Sequence, residues 1–200
     1  MNKSPWWASE SFWRKTAVWV TAGMLVVLIF LTFDTVKKIT AGSQRVPPYS
    51  VINKRIYYRL NPKRGFMEPI IGDDAPLFGT RLDEVEAEKL VSSGKMTIQA
   101  KNCMNCHTLL GNGAYYAPDL TKAWLDQGWG SELVREQMMV RFLMDPKTNG
   151  RGYGTMRRMP NLNITEKEAR GIVAFLKWMA SIDTNGFPHN FKTIPQEGDQ

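Results

Sequence analysis

The residues with the plainest chemical purpose are Cys103-Met104-Asn105-Cys106-His107. Two thiols three positions apart, with an imidazole directly after the second, form the C-x-x-C-H arrangement of covalent haem attachment. The spacing has a physical logic: at a helix start both thiols reach the vinyl positions of one porphyrin, and His107 points its ring at the iron. These are the only two cysteines in 200 residues, so no disulfide framework competes for them. A thioredoxin-like redox pair would follow a strand in a βαβ pattern, of which there is no sign. Half a zinc site would need more ligands, and the one spare imidazole, His189, is far away in a tail. The expected cofactor is one covalent haem c.

A sixth iron ligand decides what such a haem does. A proximal histidine alone leaves the iron open for binding or catalysis, whereas an added methionine gives an electron-transfer site of raised potential. The chain has eleven methionines. Met138, Met139 and Met144 fall in a helical stretch and read as core packing. Met156 and Met159 lie in the irregular loop Gly154–Asn161. Pro160 holds the residue before it extended, which favours Met159 as the ligand, with Met156 as the alternative.

Three helices must position these groups. From Arg81 the pattern turns helical through Val85, Leu90, Met96 and Ile98 towards Cys103, and Gly94 permits the close approach of another helix. A second helix fits Ser131 to Met144, with Ser131 as N-cap, Asp145-Pro146 as stop, and Leu133, Val134, Met138 and Phe142 on one apolar side. The third opens on the capping box Thr165/Glu168, carries Ile172, Val173, Phe175, Leu176 and Met179, and ends between Asp183 and Pro188. Thr108–Gly130 and Lys147–Asn163 are irregular, as in a chain that packs around a cofactor.

Ahead of this domain, Ala17 to Phe33 is uncharged, roughly 26 Å of helix, and Phe12 and Trp13 extend it if Arg14 and Lys15 snorkel. It exceeds a signal-peptide core and is followed by Asp34, Lys37 and Lys38 rather than a small-residue cleavage site, so a retained single span is expected. Trp6, Trp7, Trp13 and Trp19 suit an interfacial belt. The net charge of +7 would suit nucleic acid or an anionic surface. The excess is local, however: between Asp34 and Glu68 there is no acidic residue but eight basic ones, Lys37, Lys38, Arg45, Lys54, Arg55, Arg59, Lys63 and Arg64. No nucleic-acid partner is expected. That stretch, broken by Pro47-Pro48, Pro62, Pro69 and Pro76, reads as an extended connector with at most short strands at Val51-Ile52 and Ile56-Tyr57-Tyr58. It is too apolar for a free linker and is expected to lie against another protein.

The expected fold class is all-α, a single N-terminal transmembrane helix plus a class I-like mono-haem cytochrome c domain. Its divisions are a cytoplasmic N-terminus and anchor (1–36), a periplasmic basic connector (37–80), the cytochrome domain (81–190) and a tail (191–200). Haem c is attached outside the bacterial cytoplasm, which places the domain in the periplasm and the anchor in the inner membrane.

The run Gly94-Lys95-Met96 through Cys103–Leu120, with Arg157-Arg158-Met159-Pro160, Phe175-Leu176-Lys177-Trp178 and Ile182-Asp183-Thr184-Asn185, resembles the cytochrome c subunit of bacterial nitric oxide reductase. The similarity spans roughly the C-terminal half and the single anchor; the connector is longer than that family leads one to expect. The resemblance implies that His107 and Met159 are the axial ligands and that the Pro118 carbonyl accepts from the His107 ring. It also implies that Leu120, Arg157 and Arg158 belong to the haem-binding set, the two arginines either neutralising propionates or simply solvated. It further implies a non-catalytic subunit that takes electrons from a soluble periplasmic cytochrome c or cupredoxin. It would pass them to a large multi-helix partner that reduces NO to N2O. A cytochrome c subunit of another haem-copper oxidase, and a haem-based sensor or peroxidase with exchangeable iron, are the alternatives.

Overall fold

The computed structural model describes residues 5–43, 45–150 and 157–189. Helix α1, Glu10–Ile39, is longer than the uncharged run inside it. Ser9 starts it by accepting a hydrogen bond from the Phe12 N–H at 3.3 Å, and its last turn carries Lys37 and Lys38, whose charge opposes the negative end of the helix dipole. None of its residues is buried, and it is the one helix among the described residues that is long and apolar enough to cross a membrane. At about 1.5 Å per residue its 30 residues exceed a bilayer core, so its ends reach the head-group zones.

The segment expected as an extended connector is instead folded. A short 3-10 turn, Tyr49–Asn53, leads into strand β1, Lys54–Asn61, which pairs antiparallel with β2, Phe66–Asp74. Only Ile56-Tyr57-Tyr58 of the anticipated strand residues are in a strand; Val51 and Ile52 are in the turn. The apolar side chains that made the segment look like a partner-binding surface pack on its own domain. Val51, Ile52, Ile56, Tyr58 and Leu77 are buried there. Pro69 sits inside β2 opposite Tyr58, tolerable because a two-stranded sheet has only edges. Several of the basic residues find acids: Lys54 pairs with Asp74, and Arg64 with Glu68 and Asp183. The hairpin is further held where Trp178 Nε1 donates to Pro47 O and its ring stacks on Tyr49, 5.2 Å between centroids.

The molecule is mostly helical, as expected, with this hairpin and a second, minimal one (β3, Thr108–Leu109; β4, Asn112–Gly113) as additions. Helix α2, Glu84–Ala100, begins with a reciprocal capping box between Asp83 and Glu86 that was not singled out from sequence. The later helix Glu166–Ala180 begins with the expected box of Thr165 and Glu168; it is α4, since α3 (Glu132–Met144) lies between them. Helices α2 and α4 cross at Gly94 and Gly171, backbone against backbone. A Cβ at Gly94 would overlap the Gly171 carbonyl, which is main chain and cannot swing aside. Gly94→Ala is therefore expected to cost about 3 kcal/mol and lower the midpoint of thermal unfolding by roughly 6–12 °C, read by circular dichroism.

Helix α3 starts after Ser131 as expected, although Ser131 makes no side-chain cap. Of the anticipated face, Phe142 packs against the core beside Trp129, but the rest of the buried face differs. Val134 and Met138 are 45% and 40% exposed and Met144 is exposed, whereas Met139 is 2% exposed and Arg135 and Val140 are buried; the Leu133 side chain lies outside the described residues. Arg135 is drawn inside by the Trp124 ring, its guanidinium 5.2 Å from the ring centroid.

Another buried cation anchors the far end of α4. Lys122 is fully buried and donates from Nζ to Ala180 O at 3.1 Å and Ile182 O at 2.7 Å, capping carbonyls that the helix leaves unpaired. Tyr58 from the hairpin lies beneath it, its centroid 5.2 Å away. Burial lowers the Lys122 pKa from its ordinary value to about 7, and the Asp183 charge offsets only part of this. The unfolded chain, with an ordinary lysine near 10.4, binds more protons between these two values. Stability should therefore rise with pH from about 7 towards 10, by up to about 1.4 kcal/mol per unit, with the burial cost fully present below pH 7. Urea midpoints at pH 6, 8 and 9 check this. Lys122→Met should flatten the slope, and parallel curves for the two proteins would refute it.

Candidate functional site

The C-x-x-C-H segment follows α2 directly. Asn102 adopts a left-handed conformation (φ 53°) that ends the helix, and Cys103–Asn105 form one 3-10 turn closed by hydrogen bonds from Cys106 N and His107 N to Cys103 O. Both thiols are half-buried. Cys103 also packs against the core, and burial pushes its thiol pKa up, with the neighbouring Cys106 adding to the rise. The turn thus presents two thiols and an imidazole from five consecutive residues.

His107 is oriented by the loop that follows it. Its Nδ1 lies 2.7 Å from the Pro118 carbonyl, which can only accept, so Nδ1 carries the proton and Nε2 keeps a free lone pair for a metal. The carbonyl is held in place by its neighbours. Ala117 N donates to Cys106 O and Leu120 N to Thr108 O, both at 2.8 Å. Asp119 accepts from the buried Thr108 Oγ1 at 2.6 Å and from Thr121 N at 2.7 Å, while Thr121 Oγ1 accepts from Leu110 N. Between β3 and β4, Leu110 and Gly111 both take positive φ (52° and 79°), the geometry of a tight hairpin turn. Gly113 (φ 119°) leaves no room for a Cβ against His107 O. Asp119, Thr108 and Thr121 were not singled out from sequence; their only signal was the Pro-Asp-Leu step after the motif.

Met159 is half-buried and packs against the core, as do Leu109, Leu120 and Leu162. Its loop is tied to the rest of the domain on both sides. After it, Lys101 Nζ donates to Leu162 O at 3.3 Å and Asn163 O at 3.2 Å and pairs with Glu168 at 3.5 Å. Before it, Arg157 Nη1 donates to Tyr116 O at 2.9 Å, with the guanidinium 4.7 Å from the Tyr116 ring centroid. Arg157 and Arg158 are exposed. Met156, the alternative ligand, lies outside the described residues. His189 is not drawn into the site by any contact described.

A half-buried thiol pair, an imidazole with Nδ1 already committed, and a half-buried thioether on a separate loop fit a haem c. The His107 Nδ1 contact with the Pro118 carbonyl is the observation that carries the fit.

Comparison with known proteins bears on the same residues. The pattern of the cytochrome c family matches residues 91–180. The C subunit of the nitric oxide reductase of Stutzerimonas stutzeri is 35% identical over 113 residues, 56% of this chain and 74% of that protein. The chain belongs to the family of nitric oxide reductase C subunits. The corresponding proteins of Paracoccus denitrificans (31% over 109 residues, 54% of this chain and 71% of that one) and Cereibacter sphaeroides (33% over 97 residues, 48% and 65%) agree. As a member of this family the chain carries a cytochrome c domain, the type of domain that binds haem c. Each alignment leaves over two-fifths of this chain unmatched, whereas the hairpin packs into the same core as the cytochrome helices.

Proposed function

We propose that this chain is the membrane-anchored, electron-transferring subunit of a nitric oxide reductase, with one haem c held by Cys103, Cys106, His107 and Met159. The observation that carries it is the His107–Pro118 bond, which leaves one ring nitrogen free beside two thiols, in a chain of the nitric oxide reductase family named above. The thiols supply thioether bonds, and His107 Nε2 and Met159 Sδ the two axial ligands. Haem c with these ligands carries one electron at a time at a raised potential. Leu120, Leu109 and Leu162 exclude water from it, which favours the less charged ferrous form. Arg157 and Arg158 border its exposed side. Helix α1 crosses the inner membrane once, with residues 1–36 forming the cytoplasmic N-terminus and anchor and everything after them in the periplasm. Residues 37–80 and 81–190 work as one folded unit, joined by the hairpin packing, and 191–200 are a tail. Electrons arrive from a soluble cytochrome c or cupredoxin and leave to a large multi-helix partner that reduces NO to N2O.

Purification of the full chain from its native membrane in mild detergent tests this. Expected are co-isolation of a multi-helix haem protein and oxidation of this chain's reduced haem on addition of NO. An isolated chain that binds carbon monoxide readily and leaves its haem reduced in the presence of NO and the co-isolated proteins would favour a sensor or peroxidase.

A further inference from the structure

We propose that Arg157 and Tyr116 form a clasp that joins the His107 loop to the Met159 loop and holds the Met159 thioether on the iron. The proposal rests on the reading of Met159 as sixth ligand and concerns what keeps it there. Tyr116 stands two residues before Pro118, whose carbonyl orients His107, and Arg157 stands two residues before Met159, so the pair joins the two loops that carry these groups. The contact is two-fold: Nη1 donates to the Tyr116 carbonyl at 2.9 Å, and the guanidinium lies over the ring at 4.7 Å. A charged donor on a carbonyl and a cation on a ring reinforce one another only when a planar fork satisfies both, which arginine does and lysine does not.

The other side of the Met159 loop is fixed independently by Lys101 on Leu162 and Asn163. Among the described residues, Arg157 is the hydrogen-bonded tie on the near side of Met159, so its loss would loosen the backbone that carries the thioether. The arginine thus acts through Met159 rather than on the haem itself. This differs from neutralisation of a propionate, which needs only a positive charge at the position.

Imidazole competes with a thioether for ferric haem iron, so its binding to the purified ferric full-length protein reads how firmly the sulfur is held. The sulfur-to-iron charge-transfer band follows the displacement. Arg157→Leu is expected to raise imidazole affinity about tenfold, equivalent to roughly 1.4 kcal/mol, with covalent haem content unchanged. Arg157→Lys should lose most of the same hold, Tyr116→Leu should reproduce part of it, and Tyr116→Phe, which keeps ring and carbonyl, should behave as the parent. Arg157→Leu and Tyr116→Leu together should be less than additive.

Affinity within twofold of the parent in Arg157→Leu overturns the clasp. So does full rescue by Arg157→Lys with a silent Tyr116→Leu, which would assign the arginine to a propionate. A parent protein that lacks the charge-transfer band overturns the clasp together with the Met159 reading; a parent band whose displacement by imidazole neither substitution eases overturns the clasp alone.

Discussion

Replacing Cys103 or Cys106 by alanine is expected to remove most of the covalently held haem, and replacing both to remove all of it. Under the proposed attachment each thiol would supply one thioether, and the short 3-10 turn between them offers no other thiol. With one thioether left the haem is attached at one edge only, and the five-residue geometry that aims His107 is loosened. Haem staining of denaturing gels, read against total protein, measures the outcome. Undiminished stain in both single variants would mean that the turn does not attach haem, and the functional proposal would fall with it. Because Cys103 also packs against the core, loss of its sulfur leaves a small cavity, so the Cys103 variant should be the less stable of the two.

Met159→Ala should produce the other large change. Removing the thioether leaves His107 as the only axial protein ligand, so the ferrous iron should bind carbon monoxide rapidly and the reduction potential should fall, since sulfur ligation favours the reduced form. Optical titration with carbon monoxide and a spectroelectrochemical potential measure both. Met156→Ala should leave the charge-transfer band in place. If Met156→Ala abolishes the band and Met159→Ala keeps it, the ligand is Met156 while the cytochrome reading stands. The fold should survive Met159→Ala better than Gly94→Ala, because Met159 is only half-buried, whereas Gly94 lies at the closest contact of α2 and α4.

The buried cations Lys122, Arg135 and Lys177 show how the domain is held around its site. Each meets carbonyls or aromatic faces in the interior: Lys122 on Ala180, Ile182 and Tyr58, Arg135 on Trp124, and Lys177 on the Ala75 carbonyl and Trp124. Two of these interactions, through Tyr58 and Ala75, lock the hairpin to α4 and to the loop after Leu120. The long segment before the cytochrome helices is in this way part of the support behind the haem loops.

What the sequence determined by itself is whatever depends on neighbours along the chain. The uncharged run in α1, the Thr165/Glu168 box and the stop at Asp145-Pro146 all act within a few turns of helix, and each appears in the structure where the sequence put it, whereas the Cys103–His107 motif, expected at a helix start, follows the end of α2 in a 3-10 turn. Tertiary structure decided which surfaces meet. The prolines and basic residues of 40–80 suggested an open connector, because two of the groups that fix the segment to the domain, Asp183 and Trp178, lie more than a hundred residues away. The buried face of α3 could not be read from apolar spacing, since Trp124 makes Arg135 an interior residue. The same holds for Arg157: its charge was legible, but its partner is a carbonyl and ring on the opposite loop, and only folding brings the two together.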